Sequence, residues 1–468
     1  MSKPMPYDYK QFDSISRLLV EAELQVPGFG GGRFQPTNFP DLGAALYRGA
    51  DGKQWLLVES AQSMANRMER VCWLDGDNET DRVGRYNDAC NGIPYVLAVD
   101  TEDNALTASP LEAHRLASPY LWEAFIQTDG KDKDKSLGEM LKDKFTLSEH
   151  RLVPWKKVAS GLLEVDPACL LHGIWFSDAD FVGGKVRLTR ALSGFIEASD
   201  PATANFGFQK RDSVSDRTDK DAGQTAVEGF GSVIGPKQHF TSGKIKACFQ
   251  LDLDRLRGYG LPAETVRALA AWAIYKMRRV LADGRDGVGG LRTECKFACG
   301  AVEAIAYDSK SGQKEEFTLP ELGPDLLAQF RALKCLKQTD GGEEPDDARA
   351  VTKVRWVPKI EVKVELKGGL TDKSFNLAEL ESKARVEPEK PKKSKRGEQK
   401  AEPKTFLVIS GEWRQSDKQK LRDQNTGPDV VKVVDAAIKD YEKKWTDKLQ
   451  GRKTRPEEED ENEENPVV

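Results

Sequence analysis

Residues 54–72, QWLLVESAQSMANRMERVC, contain a short apolar run that is followed by a change of period. The run 54–58 comes after the turn sequence Ala50-Asp51-Gly52-Lys53, which predicts a buried strand. From Glu59 onward the apolar residues recur at helical spacing, so we expect a helix over 59–72. A strand followed at once by a helix is the opening of a mixed unit of strands and helices.

The predicted helix has two unlike faces. At 100° per residue, one face is apolar, with Ala61, Met64, Ala65, Met68, Val71 and Cys72. The opposite face carries hydrogen-bonding groups, which are Gln62, Ser63, Asn66, Arg67 and Arg70. Amides and guanidinium groups together can bind phosphates, sugar hydroxyls and base edges, as an RNA groove with little sequence preference requires. The alternative is an ordinary solvated face, where Lys and Glu would be more usual.

The rest of the chain alternates irregularly between strands, helices and polar insertions. Helices are predicted at 7–24 and 262–281, and strands at 45–47, 181–198, 244–253, 287–306 and 352–367. Polar, turn-rich segments at 76–108, 129–150 and 199–228 are interpreted as insertions. This pattern predicts an α+β fold rather than a regular doubly wound sheet.

Three regions follow from the composition along the chain. Residues 1–370 contain the core-forming patterns, and residues 371–404 are a charged linker rich in Pro, Lys and Glu. Residues 405–468 are a small α/β appendage, with a strand at 405–410, a helix at 429–448 and an acidic tail. The net charge of -5 comes from this tail, since seven acids and no base follow Arg455, leaving +2 on the remainder. Any RNA-binding surface must therefore be a local basic patch.

The composition limits location and chemistry. The apolar runs are too short to span a bilayer, and the N-terminus lacks a secretory apolar segment, so we expect a cytoplasmic protein. Seven cysteines without a paired framework are expected to be reduced. Neither these cysteines nor the four histidines have metal-ligand spacing, so no metal is expected.

No catalytic motif stands out. The glycine-rich segments 28–32 and 229–237 lack the Gly-Lys-Ser/Thr ending of a phosphate-binding loop and the spacing of a dinucleotide site. No GxSxG or HExxH motif is present. We therefore expect a protein that is not an enzyme and needs no cofactor.

Two basic residues lie in an apolar, strand-like run, 185–198 (KVRLTRALSGFIEA). In this position, Arg187 and Arg190 are either structural residues that form ion pairs within the protein or ligands for phosphate groups. Both interpretations stay open. Upstream, residues 167–173 predict a short helix that ends at Gly173, with His172 near its C-terminus. A histidine in that position is more often a capping or core residue than a functional one.

Several segments, in one order along residues 30–300, resemble a single family. They are VESAQSMANRMERV (58–71), PACLLHGIWF (167–176), RLTRALSGFIEA (187–198) and GFGSVIGPKQHFTSGKIKACFQLDLDRLRGYGL (229–261), with PTNFPDLGAALY (36–47) and GLRTECKF (290–297). They are similar to the backbone subunit of type I-G (formerly I-U) CRISPR complexes, a Cas-seven-type member of the RAMP superfamily. The segments after about residue 370 are outside this resemblance.

The resemblance implies a structure and a role. It implies an RRM-like, ferredoxin-like palm with inserted fingers and a thumb hairpin at about 199–240. It also implies head-to-tail assembly along a guide RNA that pairs with target DNA, beside a large subunit and a fused Cas-five/Cas-six-type subunit. By motif position, the RNA side would hold Gln62, Ser63, Asn66, Arg67, Arg187, Arg190, Lys237, His239 and Arg292.

Two further sets of residues complete the candidates. Lys210 and Arg211 in the thumb have the charge to follow a phosphate backbone. A competing hypothesis is a RAMP endoribonuclease that acts on guide precursor or target RNA, with His172 or His239 as general base. The sequence offers no clustered second catalytic group for that reaction.

Overall fold

The computed structural model describes most of the chain up to Trp356 and three strands beyond it. The described residues are 7–27, 31–39, 43–76, 83–100, 103–127, 135–148, 152–177, 185–204, 206–210, 233–282, 297–322, 326, 329–330, 333, 351–356, 360–365, 384–388 and 405–411. In the strands at 38–39, 206–210, 233–237, 360–365, 384–388 and 405–411 the backbone alone is described. The chain divides into two compact units, Met1–Trp356 and Val357–Val468.

The described strands are numbered in chain order. They are β1 (Ile15–Gln25), β2 (Asn38–Phe39), β3 (Gly43–Ala44), β4 (Leu46–Arg48), β5 (Gln54–Glu59), β6 (Trp73–Leu74), β7 (Arg85–Tyr86), β8 (Tyr95–Val99), β9 (Ala105–Ala108), β10 (Phe125–Ile126), β11 (Ile174–Trp175), β12 (Arg187–Leu188), β13 (Leu192–Ser199), β14 (Ala202–Thr203), β15 (Phe206–Lys210), β16 (Val233–Lys237), β17 (Phe240–Thr241), β18 (Lys244–Asp252), β19 (Ala298–Asp308), β20 (Lys314–Glu316), β21 (Val351–Arg355), β22 (Ile360–Glu365), β23 (Ala384–Pro388) and β24 (Thr405–Gly411).

The helices are likewise numbered along the chain. They are α1 (Ala61–Arg70), α2 (Pro119–Trp122), α3 (Leu137–Lys144), α4 (Trp155–Val165), α5 (Ala168–His172), α6 (Leu253–Gly258) and α7 (Ala263–Leu281). Short 3₁₀ turns cover Tyr9–Ser14 and Arg115–Ala117. None of the helices in the described ranges has both the length and the apolar content needed to span a bilayer.

A seven-stranded antiparallel sheet is the centre of the first unit. Its order is β20-β19-β1-β18-β13-β5-β4, so strands distant in sequence are neighbours in the sheet. Along β1, Leu18, Val20, Ala22 and Leu24 are buried while the residues between them are partly or fully exposed. This alternation shows that one face of the sheet packs on the core.

Helices α1 and α7 form the layer beside this sheet. Helix α1 contacts β13 and α7, and α7 also contacts β18 and the Tyr9–Ser14 turn. Met64 and Met68 from α1 and Trp272 from α7 are fully buried in the shared core. The strand-helix pair predicted from residues 54–72 is thus confirmed as β5 and α1.

A second sheet in the same unit joins residues from far apart in sequence. Its order is β10-β21-β8-β9, with β21 parallel to β8 and pairing Val351 with Tyr95. The segment 76–108 was interpreted as a polar insertion, but it contains β8, whose Val96 and Ala98 are fully buried. The flanking Asp, Asn and Gly residues concealed this short apolar run in the sequence.

The prediction of a helix over 7–24 is wrong. These residues form the 3₁₀ turn Tyr9–Ser14 and then β1, which pairs with both β18 and β19. Leu and Glu, which favour helices, recur in this segment, but a two-residue apolar period and two partner strands outweigh that preference. Two strands were predicted at 287–306. The described residues of this segment contain one strand, β19, which pairs with β1 and β20.

The other long elements agree with the sequence patterns. Strand β18 and helix α7 occupy the predicted positions, and α5 ends at Gly173 as expected. The mixture of antiparallel sheets and helices confirms the α+β class. The RRM-like detail of the palm stays a prediction.

The second unit contains a three-stranded antiparallel sheet, β22-β24-β23. Strand β22 pairs with β24, whereas β21 pairs with β8 and β10. The predicted segment 352–367 is therefore not one hairpin, because its halves belong to different sheets. The boundary between the units follows Trp356, ahead of the residue 370 chosen from composition.

We predict that a chain ending after Trp356 folds as the first unit does in the full protein. This chain keeps β21 with both of its neighbours, so its main thermal transition should match that of the full chain. A chain ending after Ala350 is the matched comparison. It loses β21 and the fully buried Val354, and should be destabilised by at least about 2 kcal/mol. Thermal unfolding monitored by circular dichroism measures both, and equal midpoints for the two truncations would contradict this boundary.

Candidate nucleic-acid interface

Helix α1 presents an exposed polar edge. The helix begins after Ser60, whose hydroxyl accepts a hydrogen bond from the Ser63 backbone N–H at 3.3 Å. Its Met64, Ala65 and Met68 are buried, while Gln62 and Asn66 are exposed and Ser63 is half-buried. The two amide side chains are one turn apart on the same face, so they can contact one extended ligand together.

The two arginines of this helix are engaged within the protein. Arg67 Nε donates to Glu59 Oε1 at 3.1 Å, and the Glu59 side chain is only 1% exposed. Arg70 forms an ion pair with Asp75, and this pair is largely exposed. Arg67 therefore has a structural task, which leaves Gln62 and Asn66 as the more accessible part of the predicted RNA face.

A short hairpin next to the sheet positions Arg187 and Arg190. Strands β11 and β12 pair Ile174 with Leu188 on the buried side and Trp175 with Arg187 on the exposed side. The preceding turn requires Gly173, which has φ +75° and would bring a Cβ to 2.7 Å from the Leu188 carbonyl oxygen. Arg190 is half-buried just beyond β12.

A buried ion pair connects this hairpin with α1. Arg115 Nε donates to Glu69 Oε1 at 2.7 Å, and a second guanidinium nitrogen bonds the other carboxylate oxygen. The remaining nitrogen lies 3.5 Å from the Gly173 carbonyl oxygen. Because Glu69 is on α1 and Gly173 begins the hairpin, Arg115 links the two candidate segments.

Among the described residues, arginines outnumber carboxylates where these segments meet. Burial lowers the pKa of Arg190, and the neighbouring Arg115 and Arg187 lower it further, while Glu69 acts in the opposite direction. The Nε atom of Arg190 is buried and has no hydrogen-bond partner in the described part of the protein. In those same ranges no carboxylate pairs with Arg187 or Arg190. An anion would supply the missing partner.

His172 is in the core and is not accessible to RNA. It is 1% exposed, and its Nε2 lies 3.0 Å from Lys276 Nζ. Burial, Lys276, Arg115 and Arg190 all lower its pKa well below the ordinary value. No RNA hydroxyl can come within hydrogen-bond distance of an imidazole enclosed in the core, so the proposed general-base role has no support at this position.

The remaining candidates have different surroundings. His239 is 8% exposed in the segment between β16 and β17. Lys210 is the last residue of β15 and Lys237 is the last residue of β16. These two strands pair with each other in the region assigned to the thumb. Arg211 and Arg292 lie outside the described residues. In the described ranges, no group of three or more His, Cys, Asp or Glu residues could hold a metal ion.

Two residues at this site were not found from the sequence. Arg115 is in a turn-rich stretch with no periodic signal, and its role depends on a carboxylate 46 positions earlier. Trp175 could have been found, because a strand that begins after Gly173 and buries Ile174 must turn the next side chain outward.

We predict that substitutions at the exposed residues of α1 change the free energy of unfolding much less than substitutions at its buried or ion-paired residues. The double substitution Gln62→Ala with Asn66→Ala should change the free energy of unfolding by less than about 0.5 kcal/mol. Met64→Ala should cost roughly 2–5 kcal/mol, because that side chain is fully buried. Arg67→Ala should cost about 1–3 kcal/mol by removing the partner of a buried carboxylate. Urea denaturation gives these values, and a large loss in the double variant would contradict the assignment of Gln62 and Asn66 to an exposed face without a structural role.

We also predict opposite pH effects from two buried groups. Burial and then Glu69 raise the pKa of Asp166 to about 6, so its stabilising contribution is complete below the unfolded value near 4 and is lost as pH rises through 6. The lowered pKa of His172 stabilises the fold above about pH 6.5, and this contribution is lost on acidification.

Acidification from pH 7 to pH 5 measures both contributions. Asp166→Asn should lose more stability over this range than the unmodified protein, because the compensating gain is gone. His172→Gln should lose less. Urea denaturation at each pH provides the comparison, and identical pH profiles for the two variants would be inconsistent with these shifts.

One family model matches part of this chain. Residues 18–202 match the family model described as CRISPR-associated protein GSU0053. This range includes α1, Arg115 and the hairpin that carries Arg187 and Arg190. No curated protein sequence matches the chain.

Solved structures give distant likenesses. They include a chain of a pre-nicking CRISPR RNA-guided surveillance complex (12% identity, 63% of this chain and 79% of that chain, TM-score 0.32). A second is from a CRISPR RNA-guided surveillance complex (13% identity, 69% and 77%, TM-score 0.26), and a third is Csc2 of Thermofilum pendens (9% identity, 64% and 68%, TM-score 0.23). TM-scores this low carry no conclusion about this chain. Residues 18–202 are thus similar to a CRISPR-associated family, in agreement with the recognition made from the sequence, while the subtype stays a prediction.

Proposed function

We propose that the chain is the guide-RNA-binding backbone subunit of a CRISPR surveillance complex and is not an enzyme. The match of residues 18–202 to a CRISPR-associated family supports the system, and the polar site within that range supports the ligand. The RNA would lie along the exposed edge of α1 and the outer side of the β11–β12 hairpin. Arg187 and Arg190 would bind its phosphates, with Gln62 and Asn66 contacting sugar hydroxyls or base edges.

One observation carries this proposal: two neighbouring arginines lack carboxylate partners in the described part of the chain. Desolvating a guanidinium group costs free energy unless an anion and hydrogen bonds compensate for the lost water. Among the residues that the structure describes, the buried Nε of Arg190 has no hydrogen-bond partner. A ribose-phosphate chain supplies acceptors at this position, and the open amide groups of α1 suit the same ligand.

The resemblance seen in the sequence supports a proposal for the larger assembly. Further copies of the chain would bind head-to-tail along the guide, with the 199–240 region as the thumb that reaches the neighbouring copy. The bound guide would be presented for pairing with target DNA. The other partners would be a large subunit and a fused Cas-five/Cas-six-type subunit. The near-neutral charge of residues 1–455 is compatible with this role, because assembly on RNA requires a local site rather than a basic surface everywhere.

No observation favours the ribonuclease hypothesis. His172 is enclosed by the core, and His239 is 8% exposed. Incubation of the purified protein with labelled guide precursor, with and without divalent cations, should leave the RNA intact. Cleavage that persists after further purification would contradict the non-catalytic role.

We predict that Arg187→Ala and Arg190→Ala each weaken binding of a labelled oligoribonucleotide, measured by fluorescence anisotropy. Each variant should lower the slope of log affinity against log salt by about 0.7 for every phosphate that is no longer neutralised. Lys310→Ala is the charge-matched control, because its turn joins β19 to β20 at the opposite end of the main sheet from β5. If all three variants bound RNA with the affinity and salt slope of the unmodified protein, the proposed site would be wrong.

A further inference from the structure

Trp175 has an unusual environment for its residue type. Its relative exposure is 54%, although tryptophan side chains are largely buried on average in folded proteins. The register of the hairpin accounts for its direction, because Ile174 and Leu188 occupy the buried side. The indole is therefore a large aromatic side chain on the exposed side of the hairpin.

The group opposite Trp175 is Arg187. The guanidinium carbon of Arg187 lies 5.5 Å from the centroid of the indole ring, within the range of a cation–π contact. This contact orders the indole and the guanidinium together on the outer side of the hairpin. Arg190 follows three residues later, so an aromatic surface and two cationic groups are adjacent.

We propose that Trp175 is a platform on which one base of single-stranded RNA stacks, while Arg187 and Arg190 hold the flanking phosphates. This inference rests on the proposed function and adds a specific contact to it. Stacking on an aromatic ring tolerates every base, because each base has a π face. A subunit that coats guides of many sequences requires contacts of this kind.

The charge around the indole favours nucleic acid over a protein partner. Exposed aromatic residues also mark protein interfaces, where hydrophobic contacts and matched charges surround them. Here the adjacent Arg187 and Arg190 have no paired carboxylate in the described ranges, and the exposed Lys185 adds a third positive charge. A phosphate backbone complements this arrangement, whereas an apolar protein surface would bury the charges without compensation.

The test is RNA binding by the full-length protein with a short labelled oligouridine. Trp175→Ala should weaken binding between about 5-fold and 150-fold, the range expected for loss of one stacked base. Trp175→Phe keeps a π surface and should retain most of the affinity. Trp155→Ala is the matched control, because Trp155 is also exposed, at 40%, and no cation–π contact is found for it among the described residues.

Two additional measurements separate stacking from charge and from folding. Trp175→Ala should leave the salt slope unchanged, since every phosphate keeps its cationic partner, whereas Arg187→Ala should reduce it by about 0.7. Abasic sites across the oligonucleotide should abolish the difference between Trp175→Ala and the unmodified protein. The thermal midpoints of Trp175→Phe and the unmodified protein should agree, because the position is more than half exposed.

The outcomes are distinguishable. Unchanged affinity in Trp175→Ala, with weakened binding in Arg187→Ala and Arg190→Ala, would overturn the platform and leave the proposed function in place. RNA binding that no variant alters would remove both. If Trp175→Ala kept its RNA affinity but lost self-association in sedimentation velocity, the indole would contact a neighbouring subunit, and the stacking proposal would be wrong.

Discussion

The ion pair between Glu69 and Arg115 is the interaction on which the candidate site depends. It joins the buried side of α1 to the turn that starts the β11–β12 hairpin, through two bonds to the carboxylate and a long contact to the Gly173 carbonyl oxygen. A buried pair of this kind adds little net stability, but losing one partner typically costs about 3–5 kcal/mol. Its value here is geometric, because it fixes the polar edge of α1 relative to the two partly unmatched arginines.

A second consequence of this pair is electrostatic. Glu69 or Arg115 contributes to the pKa shifts of Asp166, His172 and Arg190. The pKa of Asp166 is raised and those of His172 and Arg190 are lowered, so each shift favours the neutral form of its group. Lys276 beside His172 lies 3.9 Å from the centroid of the Trp272 ring, so another buried cation is held by an aromatic group. The core thus contains several charged groups whose positions are mutually dependent. Of the described arginines near this group, Arg187 is exposed and Arg190 is half-buried.

The sequence identified the elements whose pattern is local. Residues 54–72, β18 and α7 have clear periods, and Gly173 ends α5 with a φ of +75°, which glycine adopts readily. The mistaken helix at 7–24 shows the limit of this reasoning, since β1 is stabilised by partners more than 200 residues away. Among the candidate residues, the polar face of α1 could be predicted, whereas the pairing of Arg67 with Glu59 could not. Arg115 has no sequence signal, because its function arises from tertiary contacts alone.

The parallel pairing of β8 with β21 affects how the protein is synthesised. Residues 95–99 pair in the sheet with residues 351–355, which the ribosome adds about 250 residues later. At roughly 5–20 residues per second, the nascent chain spends on the order of 10–50 s with one edge of a buried strand unpaired. Val96 and Ala98 are fully enclosed in the finished unit, so this strand is a site where unfinished chains can associate wrongly. Production of intact protein should therefore depend on the rate of translation and on chaperones that shield this strand until the last part of the first unit is made.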